Sequence, residues 1–203
     1  MKKLILLYCL LWFTSVQAQT NYRNGDLLFQ DLDCGALCNA IEAVTEGAEG
    51  KDYSHVGLVY RMYDSVFIIE ALGKGVQLTP LNTFLARSTK PVLHARLKDT
   101  FNALIPPAIE YCLQQIGTAY DEAFIFNNGK YYCSELIYDA FRIANHYAEV
   151  FELESMTFKL SGSEQFDPVW VEYYRKLEIP IPQGEPGINP GSMSRSEKLI
   201  ILN

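Results

Sequence analysis

Three observations in the sequence predict an α+β fold with a mainly antiparallel sheet. Strand-like runs cluster between residues 25 and 97, helix-period stretches lie before and after that cluster, and strands do not alternate with helices as a βαβ series requires.

The elements follow in chain order. Gly25 to Gln30 reads as a turn leading into a short strand, and Asp31 to Asp33 could cap a helix from Cys34 to Thr45 whose buried face is Cys38, Ile41 and Val44. Glu46 to Asp52, rich in glycine and charge, is a loop. Tyr53 to Tyr60 is a strand, and Ser65 to Ala71 returns beside it through a hairpin turn within Arg61 to Asp64. Gly73 and Gly75 break the pattern before a short strand at Val76 to Leu78. Pro91 to Leu97 alternates, with Val92, His94 and Arg96 on one face and Leu93, Ala95 and Leu97 on the other. Pro106 and Pro107 suit the first turn of a helix with the stripe Ile105, Ile109, Cys112, Leu113 and Ile116, ending at Gly117. Another helix begins at Cys133. Leu136, Ile137, Ala140, Phe141 and Ala144 form its inner face, and Glu135, Asp139 and Arg142 point elsewhere. Past Val150 the periodicity fades, and Ile179 to Pro190, with four prolines, reads as irregular extended chain.

Lys2 and Lys3 precede an apolar run from Leu4 to Phe13, and the stretch after it ends at Val16-Gln17-Ala18. This is the pattern of a secretory signal peptide over residues 1–18, cleaved before Gln19. The expected product is a soluble, secreted or periplasmic protein of about 185 residues forming one domain over 19–203, without stable membrane insertion. Removing the two lysines of the leader takes the formal charge from -7 to -9, and the rest of the chain has no Lys/Arg cluster. Nucleic acid is therefore excluded as a partner class.

Beyond the leader the cysteines are Cys34, Cys38, Cys112 and Cys133. Cys34 and Cys38 are spaced for one face of a helix, where bridge geometry is poor, so no disulfide is expected between them. Cys112 lies on an apolar stripe, where cysteine behaves as a small hydrophobe. That leaves Cys133. At the first position of a helix, unsatisfied N–H groups and the positive dipole end would stabilise a thiolate, and the same N–H groups could donate to a developing oxyanion. The bland alternative is a cysteine packed at a helix start.

A cysteine nucleophile needs a base, and the histidines are His55, His94 and His146. His146 follows Cys133 by too many residues of helix to reach back, and His94 sits within an alternating strand beside Arg96. His55, at the start of a strand, is best placed. Glu70 can orient it if the hairpin loop holds an even number of residues, a two-residue turn at Tyr63-Asp64 making the two diagonal neighbours. An unpartnered carboxylate after Val66-Phe67-Ile68-Ile69 would be costly, and a protonatable His55 relieves that cost. No histidine pair at ligand spacing and no CxxC occurs, so neither metal nor cofactor is expected.

Taken together, Gly25-Asp26-Leu27-Leu28-Phe29, Tyr53-Ser54-His55-Val56-Gly57-Leu58, Ile69-Glu70-Ala71 before Gly75-Val76, and Tyr132-Cys133-Ser134-Glu135-Leu136 resemble the YiiX-type permuted papain-like amidases. These are similar to NlpC-type cell-wall cysteine peptidases, circularly permuted so that the histidine strand precedes the cysteine helix. The resemblance implies a papain-like core with Cys133 as nucleophile, His55 as general base and Glu70 as the orienting third member. Tyr53 and Tyr132, beside these positions, are candidates for pocket walls or an added oxyanion donor. The expected activity is hydrolysis of an amide in a cell-envelope peptide or N-acyl amide through a thioacyl intermediate. An acyltransferase or lipid hydrolase using the same residues, and a non-catalytic module binding an envelope peptide or lipid, stay open as alternatives.

Overall fold

The computed structural model describes residues 21–160 and 162–202; the leader expected over 1–18 and its cleavage point lie outside them. In chain order come β1 (Leu27–Gln30), α1 (Ala36–Ala43), β2 (His55–Met62), β3 (Ser65–Leu72), β4 (Gly75–Pro80), α2 (Leu81–Leu85) and β5 (Leu93–Leu97). Then follow α3 (Ile105–Gln114), α4 (Cys133–Ala144), β6 (Glu154–Ser155), α5 (Pro168–Leu177), β7 (Pro186–Gly187), α6 (Pro190–Ser194) and β8 (Leu199–Ile201). The six-stranded main sheet runs β4-β3-β2-β1-β5-β8, and all of its neighbours pair antiparallel.

Alternation along the strands divides the core into two layers. Leu27, Phe29, Val56, Leu58, Ile69, Leu93 and Ala95 pack in one cluster with Ile109 and Cys112 of α3 and with Leu136, Ile137, Ala140 and Phe141 of α4. On the other face Leu28, Val59, Val66 and Ile68 are covered by Leu81 and Phe84 of α2. The β2–β3 hairpin closes with Met62 opposite Ser65, a two-residue turn in which Tyr63 takes φ 55. Gly57 is required where β2 passes under α2, since a Cβ there would lie 2.2 Å from Ile68 Cγ2 and 3.1 Å from the Phe84 ring.

Four readings of the sequence need correction. Cys34 and Cys38 are bridged, with Cα atoms 5.3 Å apart. The helix starts at Ala36 rather than Cys34, and Gly35 at its N-cap, with φ 77, turns Cys34 off the helix and back toward Cys38. The premise that both cysteines share a helical face therefore fails. Within α4, Glu135 and Asp139 do not face away from the core but are 0% and 5% exposed. Helix α3 ends before Ile116, which is left exposed. Finally, α5 had no counterpart in the reading of the sequence. Pro168 occupies its first turn and the Asp167 carboxylate caps it by accepting the Val169 N–H. Its Trp170 and Tyr174 pack with Phe158 and with Ala40 of α1.

The alternation expected in β5 holds, with Leu93, Ala95 and Leu97 buried and His94 and Arg96 on the opposite face. There His94 Nε2 lies 2.7 Å from Asp26 Oδ2, and Arg96 bonds the same buried carboxylate through Nε at 2.6 Å and Nη2 at 2.8 Å. These groups join β5 to the start of β1.

The disulfide closes a very short loop, and the loop-entropy relation assigns such a bridge about 2 kcal/mol. Unfolding of a Cys34→Ser, Cys38→Ser double variant is expected to show that loss. A change far smaller in a denaturant titration would mean that packing of α1 against α5 holds the segment without the bridge.

Candidate active site

His55 is the first residue of β2, at the end of the sheet, and Cys133 is the first residue of α4. The strand end and the helix start meet, and Cys133 lies close enough to the imidazole to raise the His55 pKa. Residue Tyr132 at the N-cap has extended backbone, so the first turn of α4 opens toward His55 with its leading N–H groups unspent by intrahelical bonds. Cys133 is 5% exposed and His55 1%.

The hairpin register sets the other side of the imidazole. The β2–β3 ladder runs from Met62 opposite Ser65 to Leu58 opposite Ile69, and carrying that register one residue further makes His55 the diagonal neighbour of Glu70, as an even-numbered turn requires. His55 Nε2 lies 2.7 Å from Glu70 Oε2, with both side chains almost fully buried. Around that carboxylate the structure adds groups that no local motif announced. Arg87, in the turn after α2, donates Nη1 to Oε2 at 2.7 Å and Nη2 to Oε1 at 2.6 Å. Thr79 and Gln77 of β4 donate to Oε1 at 2.5 Å and 3.3 Å. The one signal that could have pointed to Arg87 is the burial of Glu70 itself, which demands a cation.

Electrostatics follow from these contacts. Burial penalises a charged imidazolium, but the bonds and charges of Cys133 and Glu70 outweigh it and raise the His55 pKa to about 9. Burial likewise opposes the Glu70 carboxylate, and the bonds from His55, Arg87 and Thr79 reverse this, lowering its pKa to about 2. A charged pair is thus favoured across the neutral range.

Cys133 opens onto a cavity of about 150 Å³ with mainly apolar walls, formed in part by Tyr120, Phe124, Tyr132, Phe158 and Trp170. Ile41 of α1 and Val44 just after it close another side, so the segment held by the disulfide shapes this cavity. Tyr132 lines it, and its hydroxyl accepts the Ile188 N–H at 3.3 Å. Tyr53 is buried against Phe29, with ring centroids 5.9 Å apart, and does not line the cavity. Tyr120, unmarked in the sequence, does. Among the described residues no group of three His, Cys, Asp or Glu side chains is placed to hold a metal ion.

The family described as the permuted papain-like amidase enzyme, YaeF/YiiX, C92 family, matches residues 21–202. The chain belongs to this family. The permuted order is visible in the fold, where the histidine strand β2 precedes the cysteine helix α4. Among relatives of this permuted papain-like amidase, the uncharacterized protein YiiX of Escherichia coli K12 is 28% identical over 128 residues, covering 60% of this chain and 58% of that protein. A crystal structure titled as the metalloprotein yiiX of Escherichia coli O157:H7 superposes with a TM-score of 0.73 at 21% identity, over 89% of this chain and 96% of that one. At that identity the likeness is one of fold.

Proposed function

We propose that this permuted papain-like amidase is an exported cysteine hydrolase that cleaves an amide bond through a thioacyl intermediate on Cys133. The observation that carries the reading is the continuous chain of contacts Cys133, His55, Glu70 and Arg87, with its sulfur end in the cavity. His55 already holds the proton drawn from the Cys133 thiol, the thiolate sulfur attacks the carbonyl carbon, and the leading N–H groups of α4 receive the oxyanion. His55 then hands the proton to the leaving nitrogen, and the amine departs. Water enters, gives a proton to His55 and attacks the thioester, releasing the acid and restoring the thiol. Glu70 keeps the imidazole in one orientation throughout, and Arg87 keeps Glu70 ionised.

The apolar walls favour an amide with an apolar group next to its carbonyl, in an envelope peptide or an N-acyl amide. Export is supported by the leader pattern over residues 1–18 and by the Cys34–Cys38 bridge, which suits an oxidising compartment.

The test is hydrolysis of a panel of N-acyl amides and peptidoglycan stem peptides, with intact-mass trapping of the acyl-enzyme. Release of amine together with a mass adduct mapped to Cys133 is expected. Adducts that form but pass only to an acceptor alcohol or amine would make the protein an acyltransferase, and an unmodified Cys133 with bound ligand would make it a binding module.

A further inference from the structure

Glu135 lies two residues after Cys133 and has no part in the chemistry above, yet it is 0% exposed. Its Oε1 accepts the N–H of Asn127 at 2.7 Å. The N–H of Tyr132, the residue just before the nucleophile, also faces the carboxyl, and Oε2 has no partner at hydrogen-bonding distance. A second buried acid, Asp121, binds the same stretch of chain, accepting the Ala123 N–H at 3.0 Å and the Ile125 N–H at 2.7 Å. Between these two carboxyls the loop carries Phe124, with φ 52, into the cavity wall, where its ring meets Tyr132 at 5.7 Å and Trp170 at 6.0 Å between centroids.

The groups facing Glu135 are mostly negative or neutral. Asp139 comes from its own helix and Asp121 from the loop, both acting against its ionisation, while Tyr131 and Tyr132 face it from the segment before α4. Arg142, one turn beyond Asp139, is held by that residue at 2.8 Å. A carboxylate here would be buried near Asp139 and Asp121 with only backbone donors and one oxygen left without a partner, whereas an uncharged carboxyl keeps the Asn127 bond at no such cost.

We propose that Glu135 is a positioning residue that works as an uncharged acid, tying the Phe124 loop to the start of the nucleophile helix, and that ionising it releases the loop and spoils the apolar wall of the cavity. Burial, then the charges of Asp139 and Asp121, place its pKa at about 8, so the transition falls within reach of a mildly alkaline titration. The effect on acyl selection rests on Cys133 being the nucleophile; the loop movement does not.

Two readouts separate the parts. In full-length protein carrying Trp12→Phe, so that Trp170 is the reporter, fluorescence is followed against pH. The wild type is expected to show a transition centred near the value above, absent in Glu135→Gln, which keeps an uncharged side chain of the same shape. The second readout is the ratio of Cys133 alkylation rates with N-benzyl iodoacetamide and iodoacetamide. Because the uncharged fraction falls about tenfold between about pH 7 and about pH 9, this ratio is expected to fall toward the Glu135→Ala value, by up to about tenfold, in the wild type and stay level in Glu135→Gln. Glu135→Ala, which cannot hold Asn127, should give the low ratio at every pH. A fluorescence transition that is missing from the wild type, or unchanged in Glu135→Gln, overturns the proposal. A normal transition with an unreactive Cys133 leaves this inference standing and removes the proposed hydrolase mechanism instead.

Discussion

Replacing Cys133 by alanine, or His55 by alanine, is expected to abolish amide hydrolysis, a loss of about 10⁴-fold or more because the groups act as one unit. The two variants should be alike in turnover and unlike in chemistry. Without Cys133 no acyl adduct can form at all. Without His55 the sulfur remains but loses the partner with which it shares a proton, so alkylation by iodoacetamide at neutral pH should slow sharply. Tyr53→Phe is the matching control, because that hydroxyl is buried without a partner and away from the cavity. Rapid turnover surviving in Cys133→Ala would require a different nucleophile and would sink the proposed mechanism.

The second large effect is on stability and comes from Glu70. Its removal in Glu70→Ala leaves His55 and Arg87 facing an empty buried site, and breaking one side of such a pair is expected to cost about 3–5 kcal/mol. The intact group also makes stability depend on pH, with a sign that follows from the direction of each shift. The Glu70 pKa is depressed from 4.5 to about 2, so its contribution is complete above 4.5 and is lost as pH falls through about 2. A shift of that size corresponds to ~3 kcal/mol. The His55 pKa is raised from 6.5 to about 9, so its contribution is complete below 6.5 and is lost as pH rises through about 9. Both limbs belong to one interaction and are not to be added. Chemical denaturation across pH is expected to show an acid limb that largely disappears in Glu70→Gln. An acid limb equally steep in that variant would show that other carboxylates carry it.

The strands that carry His55 and Glu70 were readable because their information is local. Period-two alternation and a turn of even length are enough to place His55 and Glu70 on one face, and the observed ladder follows from them. Cys133 was readable for a similar reason, since a helix start is marked by where its apolar stripe begins. The groups that surround these residues come from distant parts of the chain. Arg87 reaches Glu70 only after the chain has formed β4 and α2, and nothing in its neighbours in sequence says so. Glu135 and Asp139 look solvent-facing by periodicity, and the loop and helix packed over them bury that face as well. The Cys34–Cys38 bridge turned on a single residue. Gly35 takes a left-handed φ, which begins the helix later than its polar lead suggests and frees Cys34 to fold back. Helix α5 was obscured because its aromatic residues serve a separate small cluster with α1 rather than the main core.

The paired grip of Arg87 on Glu70 has a consequence for how substrates are drawn in. When Cys133 and His55 exchange their proton, the row reads anion, cation, anion, cation from sulfur to guanidinium, and its charges cancel over a few ångströms. Such a row has almost no reach into solvent. The site therefore does not recruit by attraction at a distance, capture is left to contact with the cavity walls, and encounter with an uncharged amide should proceed at the same rate in dilute buffer and in strong brine.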